Sequence, residues 1–163
     1  MEVRSIETIV RALNGAQVQY LVVGGLAVNA HGFVRATRDV DIVLHLEPGN
    51  AERGLNALLQ AGWQLAIPEM PATFADPARR EYWRLEKNMI VLKLWSDAHR
   101  RTPIDIFVYE PFDFAKEYAR AIHLEINPGV TAPIVALEAL LQMKREAGRP
   151  QDLIDIEELN RAR

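Results

Sequence analysis

Asp39-Val40-Asp41 and Pro103-Ile104-Asp105-Ile106-Phe107 set three carboxylates inside apolar runs, and Gly24-Gly25 closes an earlier apolar run. Successive side chains on a strand alternate faces, so Asp39 and Asp41 project to one side while Val40 and Ile42 point into a core. Two carboxylates that close repel unless a proton or a cation lies between them, and a hard cation such as Mg²⁺ takes oxygen ligands of this kind. Asp105 can supply a third ligand from a neighbouring strand. Gly24-Gly25, between a strand and a helix start, allows close backbone approach, and N–H groups at a helix start can hold phosphate oxygens. Taken alone, the glycine pair is more often just a tight turn, and with no Gly-Lys-Ser/Thr after it the pattern is not a Walker A loop. Taken together, the pieces point to phosphate and divalent-metal chemistry.

The elements that must position these groups follow from periodicity. Ile6, Ile9, Val10 and Leu13 fall at helical spacing, with Asn14-Gly15 as the stop. Tyr20 to Val23 reads as a buried strand, Leu26 to Ala30 as a short helix, and Asp41 to Leu46 as the next strand. Pro48-Gly49-Asn50 leads into a helix with Leu55, Leu58 and Leu59 on one face. Trp63 to Ile67 is a short strand, and residues 68 to 77 form a proline-containing loop. Tyr82 to Leu85, Met89 to Trp95 and Ile104 to Val108 have strand composition, with Lys87-Asn88 as a hairpin turn. Helices follow at Phe112 to Ala121, Pro133 to Ala147 and Gln151 to Ala162, the last two separated by Gly148-Arg149-Pro150. This order predicts a mixed α/β fold in which the middle strands pair antiparallel.

The 163 residues, 49% of them hydrophobic, fit a single domain spanning 1–163 with C-terminal helices from about 133. Cysteine is absent, which removes disulfides and thiolate metal sites. No run approaches a membrane span and Met1 to Val10 lacks a signal-peptide core, so a cytoplasmic location is expected. The formal net charge of −3 excludes a global basic field. Arg79 to Arg101, however, carries a local excess of +4 that could orient an anionic partner, or simply be a solvated face. His31, His45, His99 and His123 show no paired-ligand spacing, so zinc is not expected. Trp63, Trp83 and Trp95 could stack bases, but core packing explains them as well.

GGLAVNAHGFVRATRDVDIVL followed by PIDIF resembles the nucleotidyltransferase superfamily that includes DNA polymerase beta. RATRDVDI and LEALLQMKREAGRPQDLIDIEEL look most like its small bacterial AbiEii-type toxin-like members, and the resemblance runs from about Val18 to Leu159. It implies a mixed, strongly twisted sheet with helices packed on one side and a C-terminal helical tail. It also implies catalytic and metal-binding roles for Asp39, Asp41 and Asp105 with two Mg²⁺ (or Mn²⁺) ions, and nucleotide contacts from Gly24, Gly25, Arg35, Thr37, Arg38 and Lys144. Many members place a serine where Gly25 stands, so a hydroxyl contact is missing here. Asp152 and Asp155 would orient Lys144 or Arg149, and Arg35 and Arg38 could instead neutralise the nearby aspartates.

The expected activity is transfer of a nucleoside monophosphate from an NTP to an acceptor hydroxyl, with release of pyrophosphate. The toxin-like resemblance implies tRNA or another RNA as acceptor and an antitoxin protein as partner. The alternatives are a compact sugar-like acceptor, as in antibiotic nucleotidyltransferases, or a non-catalytic nucleotide- or partner-binding module of the same fold.

Overall fold

The computed structural model describes residues 1–162. Its elements are α1 (Val3–Gly15), β1 (Tyr20–Val23), α2 (Gly24–Ala30), β2 (Val40–Leu44), α3 (Pro48–Gln60), β3 (Gln64–Leu65), α4 (Pro71–Ala75) and α5 (Pro77–Glu86). They continue with β4 (Val91–Trp95), β5 (Ile104–Phe107), α6 (Phe114–Ala119), β6 (Ile122–Asn127), β7 (Val130–Ile134), α7 (Leu137–Ala147) and α8 (Pro150–Arg161). The seven strands form one mixed sheet in the order β3-β4-β5-β2-β1-β7-β6. β4 pairs antiparallel with β3 and β5, as the sequence leads one to expect of the middle strands, and β1 pairs antiparallel with β2. Parallel pairing joins β2 to β5 and β1 to β7.

Burial along the strands shows where the sheet is covered. All four residues of β1 are buried, so both of its faces are packed, whereas β4 alternates, with Leu92 and Leu94 in the core and Lys93 and Trp95 exposed. The sheet is therefore open on one face at the β5–β4 side, and an open face beside a covered one makes a cleft. α1 and α3 pack on each other, α2 packs on β1, β2 and α7, and α7 pairs with α8. Leu13, Leu21, Ile42, Val43, Leu55, Leu58, Ile104 and Ile106 are fully buried at the centre.

Three expectations are corrected. Tyr82 to Leu85 is not a strand but the end of α5, started by Asp76, whose side chain accepts from the Ala78 amide, with Pro77 in the first turn. Lys87-Asn88 consequently links a helix to a strand, with Asn88 at φ 51. Residues 122–134, expected to be a gap after a helix ending at Ala121 and then the start of another helix at Pro133, form the β6–β7 hairpin. Pro133 is tolerated there because the β1–β7 ladder touches β7 at Ile134, leaving the absent proline N–H without a required partner. The helix that follows begins at Leu137 and ends at Gly148, in the left-handed conformation that glycine adopts readily. Within the proline-containing loop, residues 71–75 form the short helix α4.

Candidate active site

β2 enters the sheet directly after Asp39, and its register against β5 sets Asp41 opposite Asp105. Neighbouring strands lie about 4.8 Å apart, so the two carboxylates share one patch of the sheet face. On the other side of β5, the β4 register sets Lys93 opposite Asp105. Its Nζ lies 3.0 and 2.9 Å from the two Asp105 carboxylate oxygens and donates to both. Asp105 is nearly buried, while the Lys93 side chain is 60% exposed.

Gly24, at φ +62, is the turn from β1 into α2, and its lack of a side chain lets Asp41 in. A Cβ there would stand 1.9 Å from Asp41 Oδ2. At Gly25 a Cβ would stand 2.3 Å from Thr37 Oγ1, so the glycine pair is also what lets the loop before β2 lie against the start of α2. Asp41 is half-buried. Burial, then the charges of Asp105 and Asp39, push its carboxyl up to about 7, against weaker opposing effects from Arg149 and the Gly25 amide. The hydrogen bond from Lys93 to Asp105 leads the effects that raise the lysine above its usual range.

Behind this patch lies a buried charge network. Lys144 of α7 is buried, with Nζ 3.0 Å from Asp152 Oδ1 and 2.6 Å from Asp155 Oδ2. Arg35 forks onto Asp155 through Nε at 2.6 Å and an Nη at 2.7 Å. Arg149 donates to Asp152 through Nε at 2.7 Å, with three-quarters of its side chain exposed at the cleft rim. The network ties the loop before β2 to α7 and α8.

Asp39, Asp41, Asp105, Gly24 and Gly25 thus come together, and Lys144 lines the same cleft while bound to two aspartates. Thr37 packs on Gly25. Arg35 neutralises Asp155 and not Asp39 or Asp41. Arg38 is exposed and has no hydrogen-bond or ion-pair partner among the described residues. Lys93 and Arg149 are the cleft cations that sequence reasoning left out of the site. The alternation in Val91-Leu92-Lys93-Leu94-Trp95 marks Lys93 as pointing away from the core, but only the strand register brings it to Asp105.

The cleft has a volume of about 540 Å³ and runs from Gly24, Asp41 and Asp105 to an apolar wall of Ile90, Phe107, Tyr109, Pro111, Leu140 and Met143. The donor chemistry fits a hard divalent cation, because Asp41 bears the cost of two neighbouring carboxylates and glycine keeps its approach clear. The fit concerns Asp39 and Asp41: among the described residues no three His, Cys, Asp or Glu side chains converge as a ready metal shell. Asp105 faces a lysine instead.

The arginines between Arg79 and Arg101 are largely engaged within the chain. Arg79 bonds Glu69 at 3.0 Å, Arg80 is buried and donates to the carbonyls of Phe74 and Leu46, and Arg84 lies 3.9 Å from the Tyr109 ring centroid. Arg100 pairs with Asp97 at 3.6 Å. Trp63 and Trp83 are buried and Trp95 is exposed. His45 bonds Glu110, and His31 bonds the Val135 carbonyl. No helix among the described residues is long and apolar enough to cross a membrane.

No protein-family profile and no curated protein sequence matches the chain. Solved structures do. A lincosamide antibiotic adenylyltransferase, LnuA, with lincomycin bound is similar at a TM-score of 0.60 and 16% identity, over 98% of this chain and 97% of that one. The antibiotic-resistance factor ANT(2'')-Ia is similar at 0.57 and 17%, over 98% and 81%. A nucleotidyltransferase-like antigenic protein from Paracoccidioides brasiliensis is similar at 0.56 and 18%, over 97% and 75%. The chain has the fold of these nucleotidyltransferases.

Proposed function

We propose that the protein is a divalent-metal-dependent nucleotidyltransferase that moves a nucleoside monophosphate from an NTP to a hydroxyl of a compact, partly apolar acceptor. The observation that carries this reading is the in-register pair Asp41 and Asp105 on adjacent parallel strands, with Gly24 opened to the first of them. A cation held by Asp39 and Asp41 would neutralise the triphosphate and stabilise charge on the entering and leaving oxygens. The chain's own residues do the positioning. Arg149 at the rim and the partner-free Arg38 present guanidinium groups to phosphate oxygens. Asp105, at the cleft floor, accepts a hydrogen bond from the acceptor hydroxyl and receives its proton as the P–O bond forms and pyrophosphate leaves. Lys144 holds the α7–α8 wall by its buried aspartate pairs, and Arg35 fixes the loop that carries Arg38 and Asp39.

The apolar wall beside the carboxylates favours a compact acceptor, because such a surface gains by covering carbon rather than a phosphate backbone. LnuA and ANT(2'')-Ia, named for antibiotic chemistry, have the same fold and agree with this choice. RNA as the acceptor, and an antitoxin as a silencing partner, remain the second reading, carried by the RATRDVDI and MKREAGRPQDLIDI patterns. Purified protein with each NTP and Mg²⁺ is assayed for pyrophosphate release, with total tRNA or with a panel of hydroxyl-bearing small molecules. The expected result is small-molecule-stimulated release that is lost in Asp41→Asn. Release stimulated by tRNA alone moves the acceptor to RNA, and no release under any condition refutes the activity.

A further inference from the structure

Asp39, Asp41 and Asp105 bring three carboxylates to one patch of the sheet, and the ammonium of Lys93 pairs with the last of them. Lys93 grips both oxygens of Asp105 at 2.9 and 3.0 Å and lines the cleft together with Asp41. A lysine held opposite an aspartate by strand register is a fixed pair, since the ladder presents Lys93 and Asp105 to each other on one face. Lys144 pairs with Asp152 and Asp155, Arg35 with Asp155 and Arg149 with Asp152, so none of these three is hydrogen-bonded to Asp105.

We infer that Lys93 is a built-in counter-cation that keeps Asp105 out of metal coordination, so that the nucleotide-free protein holds one divalent ion, on Asp39 and Asp41, instead of two. The inference rests on the metal-dependent reading above and departs from the two-ion expectation. Among the described residues no three His, Cys, Asp or Glu side chains converge as a metal shell, and both Asp105 oxygens lie within hydrogen-bond distance of the Lys93 ammonium. Lys93 is thereby a positioning residue. It holds Asp105 oriented, and it makes the ion count depend on a lysine that a triphosphate could draw away.

The test is Mn²⁺ binding to nucleotide-free protein, read as stoichiometry and affinity by calorimetry and by the free-ion electron paramagnetic resonance signal. Lys93 is exposed, so its substitution spares the core. The parent should bind one ion, weakened strongly by Asp41→Asn and little by Asp105→Asn. Lys93→Ala should bind a second ion, or bind the first about tenfold more tightly, the scale set by removing one unit charge a few Å away at a half-exposed site. Lys93→Arg should keep the parent's behaviour, and Asp105→Asn combined with Lys93→Ala should abolish the gain. Two ions in the parent, an Asp105→Asn loss as large as that of Asp41→Asn, or a Lys93→Ala variant identical to the parent overturns the inference while leaving metal dependence standing. A parent that binds no Mn²⁺ overturns the metal-dependent reading, and this inference with it.

Discussion

Replacing Asp41 by asparagine should stabilise the metal-free protein, and by an amount that grows with pH. Asp41 carries its proton up to about pH 7 in the folded state, because burial and the charges of Asp105 and Asp39 oppose ionisation, against 3.8 for an ordinary aspartate. A folded pKa above the unfolded one means that between about pH 4 and 7 the folded chain keeps a proton that the unfolded chain has lost. Stability therefore falls through that window and levels off above it. At 1.36 kcal/mol per pH unit the full shift corresponds to ~4 kcal/mol, an upper bound that water entry and carboxylate rearrangement reduce to about 2 kcal/mol. Asparagine does not titrate, so any change in its hydrogen bonding adds a constant offset. Urea unfolding of parent and Asp41→Asn in chelator, from pH 4.5 to 8.5, isolates the effect in the difference between the two curves. That difference should rise by about 2 kcal/mol in favour of the variant and flatten above pH 7. A difference that stays constant, or that shrinks with pH, would refute the crowded-carboxylate account. Excess Mg²⁺ should narrow the gap by stabilising the parent more than the variant.

Gly24→Ala should abolish nucleotidyl transfer and lower stability by at least the about 1–2 kcal/mol of a left-handed alanine, since its Cβ meets Asp41; activity and thermal unfolding check both parts. Lys144→Met leaves Asp152 and Asp155 buried with one partner fewer and should cost about 3–5 kcal/mol in denaturant unfolding, a loss that a purely surface lysine would not show. Burial opposes ionisation of Asp155, but hydrogen bonds from Arg35, Lys144 and Gln151 outweigh it and hold the carboxyl at about 2. Its stabilising contribution should be present above pH 4 and be lost as pH falls toward 2, and Asp155→Asn should flatten that part of the acid-unfolding curve. Trp63→Phe removes the 3.0 Å bond from Nε1 to the Thr102 carbonyl and should destabilise by about 1–3 kcal/mol, measured at constant pH.

The sequence made the carboxylate patch legible because strand alternation and the glycine pair are local signals, and β1, α2 and β2 lie within a short stretch of chain. Lys93 escaped because its role depends on which strand pairs with which and in what register, and periodicity carries no such information. Arg149 was read only as a partner of the aspartates, although its exposed guanidinium reaches the rim. Arg35 was read toward the near aspartates, yet its partner Asp155 lies 120 positions downstream. Tyr82 to Leu85 misled through aromatic composition when the Asp76-Pro77 helix start was the stronger signal. Pro133 misled in the opposite sense, being read as a helix opener when it lies within β7, opposite His123 of β6.

The long span between Arg35 and Asp155 has a temporal meaning. While the chain is being synthesised, β1, α2 and β2 emerge early, but β7, which flanks β1, emerges much later, and the aspartates that fix Arg35 and Lys144 later still. Until then the loop bearing Arg38 and Asp39 is held only by local contacts, Arg35 backbone to Asn29 and Thr37 to Gly25, and the α7–α8 wall of the cleft does not exist. Assembly of the reactive groups is thus coupled to synthesis of residues 150–161, and a truncated product would carry all three carboxylates without the means to aim them.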